Sequence, residues 1–263
     1  MDLISYERDG PLAVVTIERP ERRNAVDLAT AQALYAAFQR FEAEEDAAIA
    51  ILQGRGGHFC AGADLKAVAE GEGEGEGETG RRVAEDGEFG PMGPTRMRLS
   101  KPVIAAVEGY AVAGGLELAC WCDLRVAAEG ATFGVFCRRF GVPLVDLGTV
   151  RLPRLIGQSR AMDLILTGRP VDAREALDIG LANRMVADGQ ALEATRALGR
   201  EIAAFPQGCL RNDRASALDQ WSLDWEAATR REARLGLATM RSGETVLGAK
   251  RFFSGQGRHG SFQ

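Results

Sequence analysis

Residues 103–123 constrain the fold more than any other stretch of this chain. Val103-Ile104-Ala105-Ala106-Val107 is an apolar, β-branched run of the kind that forms a buried strand. It passes through small residues to the pair Gly114-Gly115, and a helical pattern follows from Leu116. Without a Cβ, a glycine pair before a helix lets the backbone come close to a ligand. The first turn of a helix also presents N–H groups that have no acceptor within the helix. Such donors suit an oxyanion that develops during a reaction. Glu117 lies one turn inside the helix, close to whatever the Gly114 N–H would grip. The same features also fit a plain strand-to-helix turn, with Glu117 complementing the helix dipole.

A second stretch repeats this logic. Ala48–Gln53 reads as a short buried strand. Gly54-Arg55-Gly56-Gly57-His58-Phe59-Cys60-Ala61-Gly62-Ala63-Asp64-Leu65 then forms a glycine-rich turn and a helix start, with a backbone donor at Ala63. Two such donors make an oxyanion hole where one does not. The spacing therefore points to catalysis at the place where the two turns meet.

The chain has 263 residues, room for one large domain or one with a small appendage. No run approaches 18 apolar residues, so no membrane span is expected. The N-terminus, Met1 to Arg8, carries acids and lacks a signal-peptide layout, which leads us to expect a cytoplasmic protein. The net charge of −5 argues against nucleic acid as a partner. The five cysteines, at 60, 120, 122, 137 and 209, follow no disulfide framework and read as reduced thiols. With His58 and His259 as the only histidines, no metal site is expected.

Residues 3–8 and 12–17 read as strands joined by a hairpin turn at Asp9-Gly10. A basic loop follows, Arg19 to Asn24. Asp27 is placed to cap a helix running to about Glu45, with Leu28, Ala31, Leu34, Phe38 and Phe41 on one face. The stretch 70–90 contains an alternating Gly-Glu run, and we expect it to be flexible, either as a solvated insertion or as a lid. Leu124–Ala127, Ala131–Gly134 and Arg184–Val186 read as strands, Pro143–Gly157 as a loop with a short helix, and Ser159–Thr167 as a helix. Asp172 is placed to cap another. From Gly189 to Phe253 the pattern is helical, with breaks near Pro206, Trp221 and Gly243. Strand–helix alternation followed by a helical tail suggests ββα units with parallel pairing.

Several motifs fail. Gly255-Gln256-Gly257-Arg258-His259-Gly260 matches a dinucleotide fingerprint but precedes no helix. A Ser-His-Asp triad would need His58 or His259, and neither position favours it.

Taken together, Arg19-Pro20 with Asn24-Ala25, Phe59 to Leu65, Lys101 to Val107 running into Gly114-Gly115-Leu116-Glu117-Leu118-Ala119, Thr167-Gly168, and Ala176-Leu177 with Gly180-Leu181-Ala182 resemble the enoyl-CoA hydratase/isomerase (crotonase) superfamily over nearly the whole chain. The resemblance implies an α/β fold: a ββα superhelical core over residues 1–188 carrying the site, and a helical region, 189–263, that assembles homotrimers or dimers of trimers. It implies an acyl-CoA thioester substrate, with coenzyme A entering as part of that substrate and no separate cofactor. By position, Ala63 and Gly114 match the oxyanion hole. Ala61 and Asp64 fall within the matching substrate-binding segment. Arg22 or Arg23 would meet the coenzyme A phosphates, and Lys250 and Phe253 would close on its adenine end.

One departure stands out. Hydratases of this superfamily use two glutamates. Glu117 matches the first, but the segment that normally supplies the second reads Phe133-Gly134-Val135-Phe136-Cys137. The following loop, Pro143-Leu144-Val145-Asp146-Leu147-Gly148, brings a new carboxylate, Asp146. Three readings follow: Glu117 works alone, Asp146 replaces the missing acid, or the chain has moved to double-bond isomerisation or C–C hydrolysis of a β-dicarbonyl compound. A non-catalytic acyl-CoA binder is the alternative from another class, and the retained Glu117 argues against it. The expectation is a hydratase-like lyase with Glu117 and Asp146 as catalytic candidates.

Overall fold

The computed structural model describes residues 2–71 and 83–257. Of the stretch expected to be flexible, residues 72–82 lie outside the described residues, as does His259. The chain divides into two compact units, residues 1–202 and 203–263.

The first unit opens with β1 (Ile4–Asp9) and β2 (Leu12–Ile17), an antiparallel hairpin with Ile4 opposite Ile17. Asp27 caps α1 (Leu28–Ala43) as the sequence predicts, its Oδ1 accepting from the Thr30 N–H at 2.8 Å. β3 (Ile49–Gly54) and the short α2 (Leu65–Ala69) follow, then β4 (Val103–Val107), β5 (Tyr110–Val112) and α3 (Gly114–Trp121). Next come β6 (Leu124–Ala128), β7 (Thr132–Gly134), α4 (Gly148–Ile156), α5 (Gln158–Thr167), β8 (Val171–Asp172), α6 (Ala173–Asp178), β9 (Arg184–Val186) and α7 (Ala191–Ala203).

A six-stranded sheet runs β1-β2-β3-β4-β6-β9, parallel after the first hairpin, and a small sheet runs β5-β7-β8. Parallel neighbours need a crossover long enough to return to the same end of the sheet. The β2–β3 crossover passes through α1, and the later ones visit the small sheet on the way: β4 is followed by β5 and α3, and β6 by β7 and then α4. β3 follows the same course, because Cys60 forms a parallel bridge with Ala111 of β5 before α2 begins. This is the expected ββα repetition. Every residue of β2 and β4 is buried, as strands covered on both faces must be.

α7 belongs to the first unit although the helical pattern begins near residue 189. Gly199 packs closely against Leu12 and Ile49, and Arg196 and Arg200 both reach Asp9 at 2.6 Å. The second unit consists of α8 (Gln207–Asp219), α9 (Trp225–Ser242) and α10 (Glu244–Phe253), with breaks close to Pro206, Trp221 and Gly243 as expected. Within it, Glu244 receives the Gly208 and Cys209 N–H groups at the start of α8. Among the described residues no helix is long and apolar enough to cross a membrane.

Arg125 locks the core behind the site. It is 1% exposed and donates to the carbonyls of Leu181 (2.6 Å), Cys122 (2.7 Å) and Ala119 (3.2 Å), joining the end of α3 to β6 and to the turn before β9. A cation at a helix C-terminus is favourable, and these carbonyls have few other partners to turn to. Replacing Arg125 by Met strands them in an apolar interior. We expect Arg125→Met to lower stability by about 3 kcal/mol or more, read as a lower urea midpoint at unchanged slope.

Candidate active site

The two donor turns meet as the sequence suggests. Cys60 N–H donates to the Tyr110 carbonyl at 2.8 Å, and Val112 N–H returns to the Cys60 carbonyl at 3.1 Å, so residues 60–63 run beside the entry to α3. Gly114 is the first residue of α3, so its N–H has no acceptor within the helix. The bridge between Val26 and Ala63 uses the Gly62 carbonyl and the Asp64 N–H, which leaves the Ala63 N–H outside the ladder. Ala63 and Gly114 both line one cavity of about 260 Å³. Ala113, between β5 and α3, has φ 54° and ψ −126°, a conformation costly for a residue with a Cβ. Its N–H is held by the Gly134 carbonyl at 2.8 Å. The glycine pair answers to packing as well as to ligand approach. A methyl on Gly114 would lie 2.6 Å from Met92 Sδ, and one on Gly115 would collide with the Cys60 carbonyl.

Glu117 is 2% exposed and lines the same cavity. Its Oε1 accepts the Asp146 N–H at 2.9 Å and the Gly148 N–H at 2.7 Å. Leu147 sits between these donors in a left-handed conformation, φ 66° and ψ 19°. Such a residue turns its neighbours' N–H groups to one side, as in an anion-binding nest. Gly148 has no room for a side chain, because a Cβ there would lie 2.7 Å from the Glu117 carboxyl. Oε2 of Glu117 has no hydrogen-bond partner among the described residues. Burial, reinforced by the Asp146 charge, pushes the Glu117 carboxyl up to about 8 against the opposing pull of the two N–H groups and Arg151. Glu117 is thus largely a neutral acid at pH 7.

Asp146 also reaches this wall, at 2% exposure. Its Oδ1 accepts from the Met92 N–H at 2.9 Å and from the Thr95 hydroxyl. Arg151 clamps the same region, donating to the Asp146 carbonyl at 3.0 Å and the Thr95 carbonyl at 2.6 Å. Cys137 lines the cavity too. Burial and the nearby Glu117 push its thiol up, so it stays protonated at neutral pH. The rest of the wall is mostly apolar, with Leu65, Val68, Met92, Phe136, Phe140 and Val142.

The other candidates are placed as follows. Ala61 lines the cavity, and its N–H donates to the Arg23 carbonyl at 3.0 Å, which sets the basic loop beside the first donor turn. Asn24 fixes that loop, donating to the Arg55 and His58 carbonyls at 2.9 and 2.6 Å. Arg22 and Arg23 are exposed, with the Arg23 guanidinium over the Tyr110 ring. Asp64 caps α2 through the Lys66 N–H and pairs with Arg19 at 3.0 Å, so its carboxylate is already engaged. Lys250 and Phe253 lie on α10 of the second unit, both exposed. His58 accepts the Tyr110 N–H at its Nδ1 and stacks on the Tyr110 ring, a structural position. Met92, Thr95 and Arg151 carry no sequence signal. Their partners lie far off in the chain, and only the fold brings them to the cavity.

The sequence model of the enoyl-CoA hydratase/isomerase family matches residues 7–253. The enoyl-CoA hydratase EchA19 of Mycobacterium tuberculosis is 39% identical over 202 residues, which cover 75% of this chain and 73% of that protein. The carnitinyl-CoA dehydratase of Salmonella typhi is 38% identical over 200 residues, covering 74% of this chain and 72% of its own. The crystal structure of the enoyl-CoA hydratase EchA1 of Mycobacterium marinum superposes with a TM-score of 0.88 over 96% of each chain, at 33% identity. With a family match over most of its length and a core that repeats the fold of these enzymes, the chain belongs to the enoyl-CoA hydratase/isomerase family.

Proposed function

We propose that this chain adds and removes water across the α,β-bond of an acyl-CoA thioester, with Glu117 as its only acid–base group. One observation carries the reading. A buried carboxyl with one oxygen fastened and the other unpartnered among the described residues shares a cavity with the Ala63 and Gly114 N–H groups. The names of the two relatives, a hydratase and a dehydratase, support the same chemistry.

The step proceeds in two halves. The thioester oxygen sits between the Ala63 and Gly114 N–H groups. Ionised Glu117 takes a proton from water through Oε2 as the hydroxyl oxygen bonds to the β-carbon. The electron pair of the double bond moves toward the thioester oxygen and forms an enolate, which the two donors stabilise by about 3 kcal/mol each. Protonated Glu117 then delivers the same proton to the α-carbon and returns to its ionised form. A carboxyl pushed up to about 8 is a better base than an ordinary one and still readily protonates an enolate. Water gives its hydroxyl to one carbon and its proton to the other, and no second acid is required.

A second reading, migration of a β,γ-double bond into conjugation, is favoured by the same single oxygen. One carboxyl oxygen moves a proton between two carbons as readily as between water and carbon. Offering crotonyl-CoA and a β,γ-enoyl thioester in parallel separates the two, since only the first substrate tests water addition directly.

The active form of Glu117 is the ionised one. The kcat/KM for crotonyl-CoA is therefore expected to rise about tenfold per pH unit below a midpoint of about 8 and to level off above it. Glu117→Gln keeps the acceptor for both N–H groups but cannot carry the proton. It is expected to lower kcat by ~10² or more above that midpoint. A flat profile, or an active Glu117→Gln enzyme, would sink the one-acid mechanism. Cys137→Ala, by contrast, is expected to change kcat by far less than the ~10² of a positioned acid or base. A loss on that scale would make the thiol a participant.

A further inference from the structure

The carboxylate of Asp146 is the feature that the mechanism above leaves without a task. It stands on the cavity wall, and its bonds tie it to other parts of that wall. Its Oδ1 is held by the Met92 N–H at 2.9 Å and by the Thr95 hydroxyl. Its own N–H holds Glu117 Oε1, and its carbonyl receives Arg151. Every one of these bonds runs to a part of the site wall. Met92 presses on Gly114, the donor residue, closely enough to exclude a methyl there. Arg96, one residue beyond Thr95, donates to the Ala84 carbonyl at 2.6 Å and the Val145 carbonyl at 3.4 Å, so the segment around Met92 is fastened to the loop at more than one point.

We infer that Asp146 is a positioning residue that couples the acid Glu117 to the acyl-pocket wall formed around Met92 and Thr95 without touching substrate. The inference rests on the reading of Glu117 as the acid–base group. Two effects run through one residue. The backbone of Asp146 fixes where Oε1 lies. Its side chain fixes where Met92 lies, and with it the room left for the acyl chain beside Gly114. A negative charge on Asp146 also disfavours ionisation of the neighbouring carboxyl. The titratable and charged groups facing Glu117 are Asp146 from the loop before α4, Arg151 from α4, Cys120 on its own helix and Cys137 from the turn after β7. Burial keeps both thiols protonated at neutral pH. Among the described residues Arg151 alone opposes Asp146 in charge there, and its guanidinium is turned to the Asp146 and Thr95 carbonyls.

The test combines a titration that does not depend on turnover with kinetics. The Glu117 carboxyl is titrated by carbon-13 NMR in wild type, Asp146→Asn and Asp146→Ala, with Glu117→Gln assigning the signal. The pH profile of crotonyl-CoA hydration is recorded on the same proteins. In Asp146→Asn the side-chain oxygen still accepts from Met92 and Thr95 but the charge is gone. The Glu117 midpoint is expected to fall, the acid limb of kcat/KM to move down with it, and the high-pH kcat to drop by less than about tenfold. Asp146→Ala releases Met92 as well, and KM for an eight-carbon enoyl thioester is expected to rise more than KM for crotonyl-CoA. A loss of ~10²–10⁴ in kcat at all pH values in Asp146→Asn, with the Glu117 titration unmoved, would make Asp146 an acid in its own right and overturn the inference. An unmoved titration with unchanged kinetics would overturn it equally. If wild type hydrates nothing, the proposed function fails while the titration still decides the role of Asp146. A comparison of melting temperatures identifies any variant that has simply lost its fold, and Asp146→Asn, the near-isosteric change, then carries the test.

Discussion

A carboxyl group at 2% exposure must find its donors inside the protein, because no bulk water remains to solvate it. For Glu117 those donors are the N–H groups of Asp146 and Gly148, and much of the architecture serves to bring them there. Glu117 leaves β5 on α3, while Asp146 and Gly148 arrive after β7 at the head of α4. The two helices can meet only because β5 and β7 are parallel neighbours in the small sheet, which sends both chains onward from the same edge. Arg125 then ties the far end of α3 to β6, so the helix that carries the acid is held at both ends.

This arrangement also bears on how Glu117 ionises. With a thiol at Cys137 and an apolar wall elsewhere, the cavity has little polar surface to solvate an ionised Glu117. The group is thereby pushed toward the range where one carboxyl both takes and returns a proton near neutral pH.

Much of this was legible in the sequence where the signal is local. Asp27 three residues before Thr30, the β-branched run Val103–Val107, and the glycine-rich turns at Gly62 and Gly114 each express their role within a few residues. The helical breaks at Pro206 and Gly243 do the same. β5 escaped because Tyr110-Ala111-Val112 is too short for alternation to register and is recognised only by its partner β7. The partners of Asp146 escaped for a different reason. Met92 and Thr95 lie 54 and 51 residues away in the chain, so nothing near Asp146 in sequence announces them. The same holds for Asp64, whose position suggested a contact with substrate and whose carboxylate is met by Arg19, 45 residues earlier. The glycine pair was legible as a place of close approach, but the Met92 side chain and the Cys60 backbone are close neighbours there.

Leu147 has a consequence of another kind. The two groups that hold Glu117 are backbone amides on either side of a residue in the left-handed region. An amide cannot be deleted by exchanging one side chain for another; short of proline, substitution leaves it in place. The two bonds that hold the acid therefore do not depend on any side chain of their own loop, although Gly148 admits no added one, whereas Phe136, Phe140 and Val142 on the cavity wall are not so bound. The shape of the cavity can therefore change through its side chains while Glu117 stays where it is. That separation of what may vary from what may not is written in the backbone, where comparison of side chains alone does not reveal it.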